Sequence, residues 1–115
     1  MSKIEIKTSN DSGAGTGLRG YITATYASLV RVFGEPAFRY DGIVGVDYDK
    51  SDVEWIVRIN GVLVTIYNWK NGRASNGPTA PAVEDIMDWN VGGKGGGDPR
   101  SLVEKALKSG VTLRV

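Results

Sequence analysis

The stretch richest in chemistry is Trp89 to Arg100, WNVGGKGGGDPR. A glycine-rich run leads into a helix start marked by Asp98 and Pro99. Such a loop can aim several backbone N–H groups at an anion, and the helix dipole adds favourable potential. Gly92, Gly93, Lys94 and Arg100 are the candidate anion ligands, and Trp89 offers a ring to stack on a base or sugar. The spacing is not that of the Gly-x-x-x-x-Gly-Lys-Ser/Thr phosphate loop, nor does it match the dinucleotide fingerprint cleanly. The Asp98 carboxylate also competes with an anion for the helix start. The same residues therefore read more readily as a mobile glycine linker ahead of a capped helix.

A second set is Tyr67, Trp69 and Trp89, with Arg58 and Arg73 within reach by sequence. Aromatic faces beside guanidinium groups suit unpaired bases. In the alternative, Tyr67 and Trp69 cover the sheet under a helix and Trp89 closes the core. A third set, Arg19, Thr23, Thr25 and Tyr26, places hydroxyls and a guanidinium beside a helix start, where capping and surface polarity explain them as well. Asp47, Asp49, Ser51 and Asp52 resemble a calcium loop but lack its glycine at the sixth position and glutamate at the twelfth. They read as a solvated acidic turn. No two carboxylates have a spacing that forces general acid–base geometry.

Composition narrows the chemistry further. The 115 residues include neither His nor Cys, so Ser-His and Cys-His nucleophiles and the commonest transition-metal ligands are absent. The expectation is a protein that is not an enzyme and uses no cofactor or metal. A net charge of +1 argues against duplex nucleic acid or an anionic membrane as a bulk partner, while leaving room for one small anion. No apolar run approaches the roughly 18 residues of a membrane span. The N-terminus lacks a signal-peptide core, so cytoplasmic residence is expected. Glycine, at 16 of 115, is about twice as frequent as usual.

The elements that must carry these residues centre on Val53 to Trp69, VEWIVRINGVLVTIYNW. Asn60-Gly61 between β-rich runs predicts a type I′ hairpin. Its register sets Ile59 opposite Val62, Val57 opposite Val64 and Trp55 opposite Ile66 on one apolar face. The other face mixes Glu54, Ile56 and Arg58 with Leu63, Thr65 and Tyr67. Strands are also expected at 3–7, at 18–23 with a bulge or close approach at Gly20, at 88–91 and at 111–115. A small hairpin is expected at 38–46, a loop at 71–81 and a helical turn at 82–87. One helix starts at an N-cap Thr25 with a stripe of Tyr26, Leu29, Val30 and Phe33, ending at Gly34. A second starts at Asp98 with a stripe of Leu102, Val103, Ala106 and Leu107. The fold class is α+β: a single domain with an antiparallel sheet, a central Asn-Gly hairpin and two short helices packed on one face.

Several segments resemble a family of small proteins from tailed-phage genomes. They are Arg19-Gly20-Tyr21-Ile22, Phe33-Gly34-Glu35-Pro36, Glu54-Trp55, Thr65-Ile66-Tyr67-Asn68-Trp69-Lys70 and Trp89-Asn90-Val91-Gly92-Gly93. The likeness extends to viral anti-defence proteins of the anti-CBASS and Thoeris sponge type. It implies a homo-oligomer in the host cytoplasm that holds a small anionic nucleotide, with phosphates bound and bases stacked, and that sequesters a cyclic nucleotide immune signal without cleaving it. The alternative is a protein–protein inhibitor of a host nuclease or CRISPR component, anchored by Tyr67 and Trp69, or a small virion structural or assembly protein. The segment 37–50 and the glycines of 94–98 depart from the family pattern.

Overall fold

A computed structural model describes residues 4–9, 16–39, 52–69 and 71–113. Strands β1 (Ile6–Thr8) and β2 (Gly17–Thr23) precede helix α1 (Tyr26–Phe33). Strands β3 (Phe38–Arg39), β4 (Val53–Ile59) and β5 (Val62–Tyr67) follow, then a single turn α2 (Arg73–Asn76) and a 3-10 turn (Val83–Asp85). Strand β6 (Asp88–Gly93) and helix α3 (Pro99–Ser109) complete the order. The sheet is antiparallel in the order β1-β4-β5-β6-β2, with β3 also beside β4. This is an α+β fold.

The hairpin sets the frame. Asn60 and Gly61 have φ of 51° and 82°, as a type I′ turn requires. The pairs Ile59–Val62, Val57–Val64 and Trp55–Ile66 follow in the expected register. Val53, Trp55, Val57 and Ile59 are buried on one face with Val64 and Ile66. Both long helices pack there, and one cluster joins Leu29 and Phe33 of α1 with Val103 and Ala106 of α3. Tyr26, Trp55 and Trp89 form an aromatic row across it, with ring centroids 5.7 and 5.6 Å apart and the two indoles edge to face. The Trp55 indole N–H donates to the Gly34 carbonyl at 2.8 Å, locking the end of α1 to the sheet.

Local capping explains the helix limits. Thr25 Oγ1 accepts from the Ser28 N–H at 3.0 Å, and Asp98 Oδ1 from the Ser101 N–H at 3.2 Å. In α1 it is Val32 that is buried, while Val30 is half-buried, a shift of the expected stripe. The expected strand at 111–115 is not formed over 111–113. There the chain runs across α1, and the Leu113 N–H donates to the Val32 carbonyl at 2.8 Å. The expected loop at 71–81 contains α2, and the helical turn at 82–87 is the 3-10 turn. The second half of the expected 38–46 hairpin, with Asp47, Asp49 and Ser51, lies outside the described residues.

Asp52, read from sequence as part of a solvated turn, is buried instead. Its carboxylate accepts from Asn68 Nδ2 at 3.1 Å and from the Arg73 N–H at 3.0 Å. Asn68 Oδ1 accepts in return from the N–H groups of Asp52 and Val53. Burial is tolerable because each polar group has partners. No helix among the described residues is long and apolar enough to cross a membrane.

Candidate functional site

The three sequence-derived sets are dispersed by the fold. Trp89 is fully buried; its indole N–H donates to the Ala24 carbonyl at 2.8 Å and its ring abuts Trp55. Both faces are core surface, so the ring has no face to offer a base. Gly92 and Gly93 are strand residues rather than loop, paired with β5 on one side and β2 on the other. Close packing explains them. A Cβ on Gly92 would lie 2.5 Å from Thr65 Oγ1, and one on Gly93 2.5 Å from Pro99 Cγ. Lys94 is exposed on the short loop that remains. At the helix start the Asp98 carboxylate takes the place an anion would occupy.

Tyr67 and Trp69 follow the outer face, while Trp89 faces the core, so the sheet separates the aromatic set. Arg58 donates to the Gly61 carbonyl and Arg73 Nε to the Ala80 carbonyl. Thr25 caps α1. The Tyr26 hydroxyl accepts from Arg39, whose guanidinium lies 5.5 Å from the ring centroid and also pairs with Glu84 at 2.8 Å. Arg19 straps the 94–97 loop to β2 through the Gly95 carbonyl at 3.0 Å.

What the fold does assemble is a groove of about 700 Å³ along the outer edge of β2, where α3 passes. Ile22, Trp89 and Leu107 supply its apolar lining. Asn71 and, on α3, Arg100, Glu104 and Lys108 supply its polar side chains, and β2 and β6 border it at Tyr21, Thr23, Asp88 and Asn90. Strand alternation with the cross-strand pairs Tyr21–Asn90 and Thr23–Asp88 puts those four side chains on the outer face with Tyr67, opposite Ile22, Trp89 and α3. On α3, positions 100, 104 and 108 recur every four residues and form one row.

Arg100 builds one wall. Gly20, where β2 is bulged against β6, has φ of 154°, and a Cβ there would lie 2.6 Å from Arg100 Cδ. The side chain crosses at that gap. Its Nε donates to the Tyr21 carbonyl at 2.9 Å and its terminal nitrogen pairs with Glu104 at 2.9 Å. An edge-strand carbonyl is thereby covered, which discourages unwanted strand pairing. Asn71 builds the far end. Its Oδ1 accepts from Asn68 at 3.0 Å and its Nδ2 donates to the Asp88 carbonyl at 3.2 Å, so the Asp52–Asn68 network holds it.

Of the candidates read from sequence, Trp89 and Arg100 lie at the groove, the first as fully buried core beneath it and the second as wall. The reading missed Asn71 and Lys108 as groove residues. For Lys108 the available signal was its four-residue spacing from Arg100 and Glu104 on α3. Among the described residues, no group of three or more acidic, His or Cys side chains is placed to hold a metal ion. The fold and groove thus define an α+β protein with a polar cleft at a sheet edge. Compared with protein-family models, curated proteins and solved structures, the chain has no match in any of the three.

Proposed function

We propose that this protein is a non-catalytic binder that holds a nucleotide in the groove between β2 and α3. In that reading it serves as a phage anti-defence protein, sequestering a cyclic nucleotide immune signal in the host cytoplasm. The observation that carries the reading is the groove itself. Its volume of about 700 Å³ falls in the usual range for small-molecule sites, roughly 300–1,000 Å³. Lys108 is exposed on α3 at the groove and can pair with a phosphate. The sequence resemblance to tailed-phage sponges points the same way. Sequestration needs affinity and copy number, with no chemical step: capture lowers the free signal that reaches an effector. Docking of a host protein on Tyr67 and Trp69 has less support, because Tyr67 is half-buried and packs over Gly92.

The test is calorimetry of the full chain with cyclic mono-, di- and trinucleotides and cyclic ADP-ribose isomers, with the ligand recovered by heating the complex. Submicromolar binding with intact ligand is expected. No binding across the panel overturns the reading, and recovery of cleaved product overturns its non-catalytic part.

A further inference from the structure

We propose that Asn76-Gly77 is the site at which this chain deamidates spontaneously, with the opening of α2 setting the rate. The proposal is independent of the nucleotide reading. Asn-Gly favours this reaction because glycine has no side chain to shield its amide nitrogen. That nitrogen attacks Cγ of the preceding asparagine. A new C–N bond closes a five-membered succinimide ring and the bond from Cγ to the carboxamide nitrogen breaks. Ammonia leaves, carrying the proton that the backbone amide gave up. Water then opens the ring at either carbonyl and leaves aspartate or isoaspartate. The sequence holds three such dipeptides, Asn60-Gly61, Asn71-Gly72 and Asn76-Gly77.

The fold holds the three differently. Asn60 is clamped to the residue before β1: its Oδ1 accepts from the Glu5 N–H at 2.8 Å, and its own N–H donates to the Glu5 carbonyl at 2.9 Å. Ring closure there needs the clamp and the hairpin turn to open together. Asn71 is half-buried, with its Oδ1 bonded to Asn68 and its Nδ2 to the Asp88 carbonyl. Gly72 is buried, and a Cβ on it would collide with the Asp52 carboxylate. Ring closure at Asn71 therefore requires the Asp52–Asn68 network to come apart. Asn76-Gly77 instead closes α2 and Asn76 is exposed. The Asn76 Nδ2 donates to the Gly72 carbonyl at 3.2 Å and the Gly77 N–H to the Arg73 carbonyl at 2.9 Å, each bond spanning the same single turn. A Cβ on Gly77 would meet nothing within 4 Å, so its nitrogen is sterically open. Asp52 fixes the start of α2 through the Arg73 N–H. Its end is one turn of helix, far below the roughly 12 residues at which helical bonds sustain themselves. Opening that turn frees the Gly77 nitrogen from Arg73 and the Asn76 carboxamide from Gly72 in one local event, well short of global unfolding.

The experiment incubates the full chain at mildly alkaline pH, once folded and once in concentrated guanidinium chloride, and follows each asparagine by peptide mapping with mass spectrometry. In the folded chain Asn76 should convert roughly tenfold or more faster than Asn60 and Asn71, since opening free energies range from near zero at frayed ends to the global value in core elements. In denaturant the three rates should fall within about threefold of one another, because the unfolded chain keeps only fluctuating local structure. One conversion adds one negative charge and cancels the net charge of +1, so ion exchange should resolve a single new form of the folded chain. Asn76→Gln should suppress that form, because the longer side chain would have to close a less favourable six-membered ring. Conversion of Asn60 or Asn71 at the rate of Asn76 in the folded chain overturns the proposal. So does a new charge form that accumulates at the wild-type rate in Asn76→Gln. An Asn76 that stays intact in the folded chain while it converts fully in denaturant overturns it as well.

Discussion

Trp89 shows how one residue type can point to two chemistries. A tryptophan beside a glycine run suggests a stacking ring, yet it is fully buried, hydrogen-bonded to Ala24 and packed on Trp55. Its neighbours in space come from β2, β4 and β5, and nothing local in WNVGG announces them. Gly92 and Gly93 misled for the same reason: the contacts that require glycine, Thr65 and Pro99, are distant in sequence or set by the turn into α3. Trp89→Ala is therefore a stability variant first. It should lower the free energy of unfolding by about 3–5 kcal/mol, the usual cost of emptying a large aromatic site in a core. In urea titration the midpoint should fall while the slope holds, the sign that stability changed and two-state behaviour did not. A variant of near wild-type stability would show that Trp89 is not the core residue described.

Elements were legible where the chain states its own geometry. Asn60-Gly61 fixes a turn whose twist suits the flanking strands, and the register follows from alternation. Thr25 and Asp98 cap helices that begin where their types suggest. The final strand was not legible, since an alternating VTLRV pattern reports amphipathicity and not whether an edge is available to pair. Gly61→Ala tests the turn itself. A Cβ there meets nothing within 4 Å, so the cost is backbone strain alone, about 1–2 kcal/mol.

The junction of α1, β3 and the 3-10 turn is held by Tyr26, Arg39 and Glu84. The Glu84 hydrogen bond holds the Arg39 guanidinium above its ordinary range, against some desolvation. For Glu84, desolvation pushes the carboxyl up, but the hydrogen bond and charge of Arg39, its own backbone N–H and Arg73 outweigh it, so the group titrates below the ordinary glutamate range. A depressed carboxylate stabilises the fold at pH values above its unfolded pKa and loses that contribution as pH falls through its folded one. Both side chains are about half exposed, so the pair contributes about 0.2–1 kcal/mol. Glu84→Gln should lose that amount at pH 7 and show a correspondingly shallower loss of stability on acidification below pH 5. Identical pH–stability curves for the two proteins would remove the pair from any structural role.

For the molecule as a whole, the groove depends on every level beneath it. Its floor is core, one wall is a helix whose Arg100 crosses a glycine bulge, and its far end is set by a buried network that begins at Asp52. Ligand in such a site binds the folded chain and not the unfolded one, because the groove exists only when β2, β6 and α3 are docked. Occupancy must then raise global stability by RT ln(1 + [L]/Kd), about 2.7 kcal/mol at a hundredfold excess over Kd. For a chain of this length that corresponds to a rise in Tm on the order of 10 °C. The ligand to use is a nucleotide of the calorimetric panel that binds, read by calorimetric melting of wild type and Lys108→Ala. The wild type should shift with that nucleotide, and the lysine variant should shift little. A shift of equal size in wild type and variant would place the ligand away from the β2–α3 groove. The stabilisation would then have to be traced to another surface of the sheet.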